Sequence, residues 1–495
     1  MHWVTLKYFV WVLVSGVVWF AGCNVGPNYK RPVTAADSVG AFSWLPQQWA
    51  DANDPNLSNA WWRQFNDPVT DELVQKALLH NTDLAAAAAA VDQSCAFLTQ
   101  AYGARLPEVS LGFNRTRQNV SFNLPSGRES FIAQSYTMDL SISYMVDVFG
   151  KLRRAERAAE YELFASENDR QSLAHAVVAQ VIATRIDIAT QQRLLEINEQ
   201  TISNWEKVLE IIDRRYQQGL SPAVDVYIAK ENLASAKAQK ALVEQSLILL
   251  LHALDVLCGQ APETTGDLSQ TLPKLPELLP VPAGLPADLL DRRPDVRSAE
   301  MRLAAGTERI GVRIAEMYPD LTLTATGGYA SDHFRNLTFS ENQVYAAILN
   351  AMAPVFKGGR LKAGVEAAEA AARQSAAQYA GAVLNAMREV EDALVKQQKL
   401  TERITQLTDR FEQAQHAERL ATDRYTQGVD KILLVLETER RRRQAENELA
   451  LSQGDLWKAR VELFLAIGGD WGVEETQPVA AAKQTEKISI GDDKK

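Results

Sequence analysis

Two hydrophobic patterns follow one another along this chain, and the pair occurs twice. Tyr136, Met138, Leu140, Ile142, Tyr144 and Val146 alternate with Ser135, Thr137, Asp139, Ser141, Ser143 and Asp147. Val109, Leu111 and Phe113 alternate likewise with Ser110, Gly112 and Asn114. Period two puts apolar groups on one face of a strand and polar groups on the other. It predicts strands near 106–117 and 134–148. Runs of about ten residues with aromatics at their ends suit a membrane barrel, lipid outside and water inside. One layer of a soluble sandwich would give the same alternation. In the second half, Leu321, Leu323 and Ala325 oppose Thr322, Thr324 and Thr326, predicting a strand near 320–332. Its partner near 343–356 alternates poorly.

The second pattern is helical. Leu173, Val177, Val181, Thr184 and Ile188 are spaced by three or four, as are Ile202, Trp205, Leu209 and Ile212. This predicts one uninterrupted helix over 151–218 that packs as a coiled coil. At 1.5 Å per residue it is roughly 100 Å long, too long for one globular domain. Val383, Met387, Val390 and Leu394, then Ile404, Leu407 and Phe411, predict its counterpart over 360–427. Gly219 and Gly428 stop these helices. Ser221 is expected to cap a return helix over 222–257 with Pro222 at its first position, and Asp430 to cap another over 431–467. Shorter helices are expected from about Asp71 to Arg105 and over 287–317, and Ala85–Ala90 gives the first a smooth face.

The halves are in register. Pro107 matches Pro319, Phe149 matches Phe356, and the Arg-Tyr-x-Gln-Gly runs ending at Gly219 and Gly428 lie 209 residues apart, as do Gly259 and Gly468. So long a period marks a duplicated half-molecule: repeat 1 over 72–260, a proline-rich belt over 261–286, and repeat 2 over 287–468. Residues 23–71, rich in Trp, Pro and Asn, read as an irregular segment laid over the rest. The polar tail over 469–495 reads as disordered.

Composition narrows the setting. The formal net charge of −10 among 495 residues argues against a nucleic-acid partner. No run of about 18 apolar residues is visible after the start. At the start, Lys7, an apolar run from Tyr8 to Phe20 and Ala21-Gly22-Cys23 describe an export signal over 1–22. Cleavage there leaves Cys23 as an acylated N-terminus carrying N-acyl and S-diacylglycerol chains; the competing reading is an uncleaved inner-membrane anchor. Asn24 lacks the acidic charge of inner-membrane retention, which favours the outer membrane. Cys95 and Cys258 read as small buried hydrophobes, although two cysteines in an oxidising compartment could pair.

Four strands cannot close a barrel, and open edges in lipid cost several kcal/mol per unpaired group. Two chains give eight strands and a filled interior; three give twelve and a channel. The Ser/Thr/Asp faces favour the channel.

Several motifs carry a family resemblance. Cys23-Asn24-Val25-Gly26-Pro27-Asn28-Tyr29 with Pro32 resembles the start of lipoprotein members of the outer-membrane efflux factor family, the TolC-like exit ducts. Trp61-Trp62-Arg63, Phe65, Asp67-Pro68 and Asn81-Thr82-Asp83-Leu84 resemble its next signature. Arg292-Arg293-Pro294-Asp295-Val296, Ala299-Glu300, Leu303-Ala304-Ala305, Ile310-Gly311 and Pro319 match its mid-chain motif. The resemblance covers nearly all of 23–471. It implies an α+β membrane protein that is a homotrimer, with a twelve-stranded barrel continuous with a periplasmic helical barrel and a mixed equatorial belt. It also implies a periplasmic adaptor, an inner-membrane pump of the RND type that sets the cargo, and an iris-like gate. Adaptor docking then falls to Gly219, Leu220 and Ser221 with Gly428, Val429 and Asp430. Tyr425 matches a tyrosine that bonds between coils in the closed duct, Asp225 its acidic partner, Leu433 a leucine constriction, and Glu437 a position where many members carry an Asp ring. Asp430 departs from members that place an Arg shortly after the second glycine.

No catalytic or metal spacing such as HExxH and no Walker loop is present, so the chain reads as a passive conduit without cofactor. The rival reading is a lipid-anchored coiled-coil scaffold without a pore. Arg440–Arg443 point all round a helix and read as solvated or inter-helix ion-paired.

Overall fold

The computed structural model describes residues 24–44, 67–124, 127–263 and 289–468. The export signal, Cys23, Trp61-Trp62-Arg63, most of the proline-rich belt and the tail lie outside the described residues. Strands β1 (Glu108–Leu124), β2 (Gly127–Val146), β3 (Asp320–Ser331) and β4 (Gln343–Met352) form one antiparallel sheet in that order. The helices are α1 (Pro68–His80), α2 (Thr82–Gly103), α3 (Lys151–Gln217), α4 (Ala223–Leu257), the single turn α5 (Leu289–Arg292), α6 (Pro294–Ala315), α7 (Arg360–Thr426) and α8 (Ile432–Ala466). The copies keep their helix lengths, 67 residues for α3 and α7 and 35 for α4 and α8.

The chain divides into two compact units. The first contains the sheet, residues 24–32 and the adjoining parts of α2, α3, α6 and α7. Here residues 24–32 form a strap. Val25 donates its amide to the Phe149 carbonyl. The fully buried Arg154 guanidinium donates to the carbonyls of Gly26 and Pro27, to Asn28 Oδ1 at 3.2 Å, and to the buried Glu308 carboxylate at 2.9 Å. Gly311 makes room for it, since a Cβ there would lie 2.2 Å from Arg154 Cδ. Glu300 accepts from the Tyr29 hydroxyl at 2.9 Å and from both arms of Arg31. Burial and the neighbouring Glu300 push the Tyr29 phenol upward. Thus Gly26 to Tyr29 of the N-terminal motif, with Arg31 beyond it, and Glu300 and Gly311 of the mid-chain motif belong to one network.

The second unit contains residues 33–44 and 67–89, most of α3 and α7, and all of α4 and α8. Its core includes Leu194, Ile197, Val243 and Ala450. Two short helix pairs join it by the same device. The expected helix from Asp71 to Arg105 breaks at Asn81, whose side chain accepts from the Asp83 and Leu84 amides and donates to the Leu257 carbonyl at 2.9 Å. The expected helix over 287–317 breaks at Arg293, which donates to the Ala466 carbonyl at 2.9 Å. Leu257 and Ala466 are equivalent positions. The glycines just beyond them, Gly259 and Gly468, have φ of +67° and +66° and lie against the His80 and Arg292 carbonyls. Asp67 caps α1 through the Val69 amide and Thr70 hydroxyl and also pairs with the buried Arg185, with Pro68 at the first helical position.

Other boundaries also move. Pro222, not Ser221, takes the capping position of α4, and Lys431, not Asp430, that of α8. β1 and β2 pair far past 117, from Glu108↔Ser143 to Leu124↔Gly127, while β4 stops at Met352. By length and composition α3 is apolar enough to cross a membrane, against the expectation of no such run; its most apolar window is 61% buried, as in a core helix.

Candidate functional site

Two places carry the chemistry, one in each unit. The first is the sheet. Val109, Ile142, Ala325 and Ala347 lie in one row of one face, and Leu111, Leu140, Gly327 and Tyr345 in the next but one. Val109, Leu111, Leu140, Ile142 and Tyr345 are exposed. The intervening rows, such as Ser110, Ser141, Thr326 and Ala346, form the other face. Aromatic groups bracket the apolar band. At one end Phe334 packs edge-on against Phe113 (6.2 Å) and Tyr136 (5.7 Å), with Arg115 over the Tyr136 ring. At the other, Phe149 stacks on Tyr318 at 4.7 Å. From Tyr136 to Val146 a tilted strand rises roughly 25 Å, the height of the apolar band of an outer-membrane barrel. β1 and β4 leave one edge each, and side chains of β4 are exposed throughout.

The second place is the pair of helical hairpins. At both, the chain turns through the same bonds: Gly219 and Gly428 donate to the Tyr216 and Tyr425 carbonyls, and Leu220 and Val429 donate to those of Arg215 and Arg424. The glycines have φ of +72° and +77°, so this is a left-handed closure that suits glycine. Leu220 and Val429 project as exposed apolar groups, as does Leu433.

The hairpins then use their matching side chains differently. Tyr216 is exposed, whereas its equivalent Tyr425 is buried with Ile212, Val226, Ala229, Ala421, Ile432 and Val435. Arg215 stacks on the Tyr425 ring at 5.2 Å, a cation–π contact between hairpins. Its equivalent Arg424 pairs with Asp430, which holds that carboxyl below its usual range. Asp225 accepts from the Ser221 hydroxyl at 3.1 Å. The structure does not join Asp225 to Tyr425 by a hydrogen bond within the chain. The Tyr425 hydroxyl and Arg215 Nε are buried with no hydrogen-bond partner among the described residues.

Glu437 accepts from Arg440 (2.9 Å) and Arg441 (2.7 Å) one turn further on. Those bonds lower its carboxyl from 4.5 to about 2. A depressed carboxylate keeps its pairing in full above its ordinary value and loses it only as the pH falls through the depressed one. Glu437 is therefore expected to stay ionised at pH 4, read from the side-chain carboxyl carbon shift of the labelled protein; a midpoint at or above 4.5 would contradict the pairing. The arginine run is thus divided: Arg442 is buried instead, with Glu418 and Glu446 at 2.6 Å each, and Arg193 reaches Glu446 from α3. Sequence reading missed this bridge and the Arg154–Glu308 pair, because the partners lie far along the chain. The Glu437 pairings and Arg442–Glu446, at three and four residues, were readable from spacing. Among the described residues no group of His, Cys, Asp and Glu is placed to hold a metal, and Cys95 and Cys258 are free.

Comparison with known proteins fits this geometry. The sequence profile of the outer membrane efflux protein family matches residues 73–260 and 285–469. The chain belongs to that family. The two matched segments correspond closely to the two repeats. It is 31% identical over 471 residues to the toluene efflux pump outer membrane protein TtgF of Pseudomonas putida, covering 93% of this chain and 97% of that protein. Among solved structures, the outer-membrane channel OprN superposes with a TM-score of 0.84 at 27% identity, over 91% of this chain and all of that one. The outer membrane protein VceC of Vibrio cholerae gives 0.79 at 28% identity, over 84% and 100%. As a family member the chain is an outer-membrane efflux channel of the TolC-like, helix-dominated fold, and the scaffold reading gives way. The family consists of channel proteins rather than enzymes.

Proposed function

We propose that three copies of this chain close a twelve-stranded barrel and form the passive exit duct of a tripartite efflux system. The carrying observation is the four-stranded sheet, apolar on one face and unpaired at β1 and β4. Such edges in lipid need neighbours, and three sheets placed edge to edge supply them. Cys23, one residue before the strap in sequence, carries the N-acyl and S-diacylglycerol lipid. An inner-membrane pump of the RND type delivers small toxic molecules through a periplasmic adaptor, which seats on Gly219, Leu220 and Ser221 and on Gly428, Val429 and Asp430. The exposed Leu220 and Val429 suit such a contact. Tyr425, Asp225, Leu433 and Glu437 form the gate, closed at rest.

The purified protein is expected to run as a heat-modifiable trimer and to conduct in planar bilayers. Cysteines at 220 and 429 are expected to crosslink to the adaptor in cells. A monomer that never conducts would end the duct reading, and an absent adduct would move the docking surface elsewhere.

A further inference from the structure

The polar face of the sheet carries one feature that the duct reading leaves unused. Over the membrane band that face is built from Glu108, Ser110 and Asn114 on β1, Ser135, Thr137, Ser141, Ser143 and Met145 on β2, and Thr322, Thr324 and Thr326 on β3, with Val344, Ala346 and Ile348 on β4; Glu108 stands near the Val146 end of the band. Among the described residues, Asp139 is the one charged group on that face between the level of Glu108 and the level of Asn114. Its neighbours across the strands are both glycine, since the register runs Gly112↔Asp139↔Gly328 and then Val344.

The glycines fit the carboxylate closely. A Cβ at Gly112 would lie 3.2 Å from Asp139 Oδ1, and one at Gly328 would lie 2.7 Å from Asp139 Cα and 2.1 Å from the Met138 carbonyl oxygen. Side chains at either position would crowd Asp139. With glycine at both, the carboxylate stands above a bare stretch of wall. No hydrogen bond or ion pair holds it among the described residues. Arg115 and Arg117 belong to the opposite face, where Arg115 lies over Tyr136. Asp139 is therefore an unneutralised charge on a wall of hydroxyls.

We infer that Asp139 sets the charge preference of the barrel lumen by forming a ring of three carboxylates midway through the membrane. The inference rests on the threefold duct proposed above. Rings of acidic side chains attract cations and repel anions. In a wide, watery lumen the effect depends on screening: the Debye length is about 10 Å at 0.1 M salt and about 3 Å at 1 M. The cation preference belongs to low salt and fades at high salt.

The test uses the full-length protein in planar bilayers under a KCl gradient, with the reversal potential as readout. The wild-type channel is expected to prefer K⁺ near 0.1 M. Asp139→Asn is expected to lower the K⁺/Cl⁻ permeability ratio roughly twofold or more, and Asp139→Glu to retain it. A conducting Asp139→Asn channel with an unchanged ratio overturns the inference and leaves the duct intact. Absence of current from every form removes the duct reading and this inference with it. A second measurement is independent of the gate. Asp139→Cys in cells is expected to react with a membrane-impermeant cationic thiol reagent added outside. Reaction only with lipid-soluble reagents would put position 139 on the lipid face and overturn the inference.

Discussion

Arg154→Met is expected to lower stability by about 3–5 kcal/mol, the usual result of removing one partner of a buried ion pair. Glu308 would be left charged and buried with its main partner gone, for the two side chains are 0% and 4% exposed. The carbonyls of Gly26 and Pro27 would lose their donor too, so the strap should loosen along with the core. Two measurements check this: the apparent Tm in detergent, and the rate at which protease removes residues 24–32. Arg154→Met combined with Glu308→Leu should recover much of the loss, because filling such a site with apolar groups is often neutral. It should not restore the strap, whose carbonyls would still lack their guanidinium. Single and double variants as stable as wild type would show that the pair holds nothing together.

Tyr425→Ala is expected to raise channel conductance severalfold. The ring is the centre of the apolar cluster at the hairpins and the seat for Arg215. Truncating a buried aromatic side chain costs about 3–5 kcal/mol, a loss confined here to the part proposed to close the duct. Tyr425→Phe keeps the ring and removes a hydroxyl that has no hydrogen-bond partner among the described residues, so its conductance should stay near wild type. If Tyr425→Phe opened the channel as far as Tyr425→Ala, the lock would be a hydrogen bond to another subunit rather than packing inside one.

Much of the architecture was legible because long periodic stretches leave little choice. The heptad-like spacing of α3 and α7 and the paired glycines at 219 and 428 place the long helices and their turns. The strands were legible only where lipid imposes alternation. Beyond Arg115 the sequence Thr116-Arg117-Gln118-Asn119 looks like a loop, yet backbone pairing carries β1 and β2 on to Leu124 and Gly127. β4 hides for the opposite reason, since Val344, Ala346 and Ile348 make its second face apolar as well. The helix breaks at Asn81 and Arg293 do carry local signals, a capping Asn that accepts from the Asp83 and Leu84 amides and a proline directly after Arg293; the Ala-rich and apolar runs on either side masked them, and the bonds to the Leu257 and Ala466 carbonyls were not readable at all. The tip was half legible. Glycine closure follows from local sequence, but the tyrosine of the repeated Arg-Tyr pair is buried at one hairpin and exposed at the other, and only packing distinguishes them.

The unequal drift of the two halves has an evolutionary consequence. Helices of 67 and 35 residues recur without the gain or loss of one position, whereas the strand pairs have diverged to 17 and 20 residues against 12 and 10. One residue inserted in a helix turns everything beyond it by about 100° and swings its apolar stripe towards water. A strand pair that lengthens at its turn leaves the register of the rows already paired unchanged. Insertions and deletions in this lineage should therefore collect at the turns of the strand pairs, while the helices keep count.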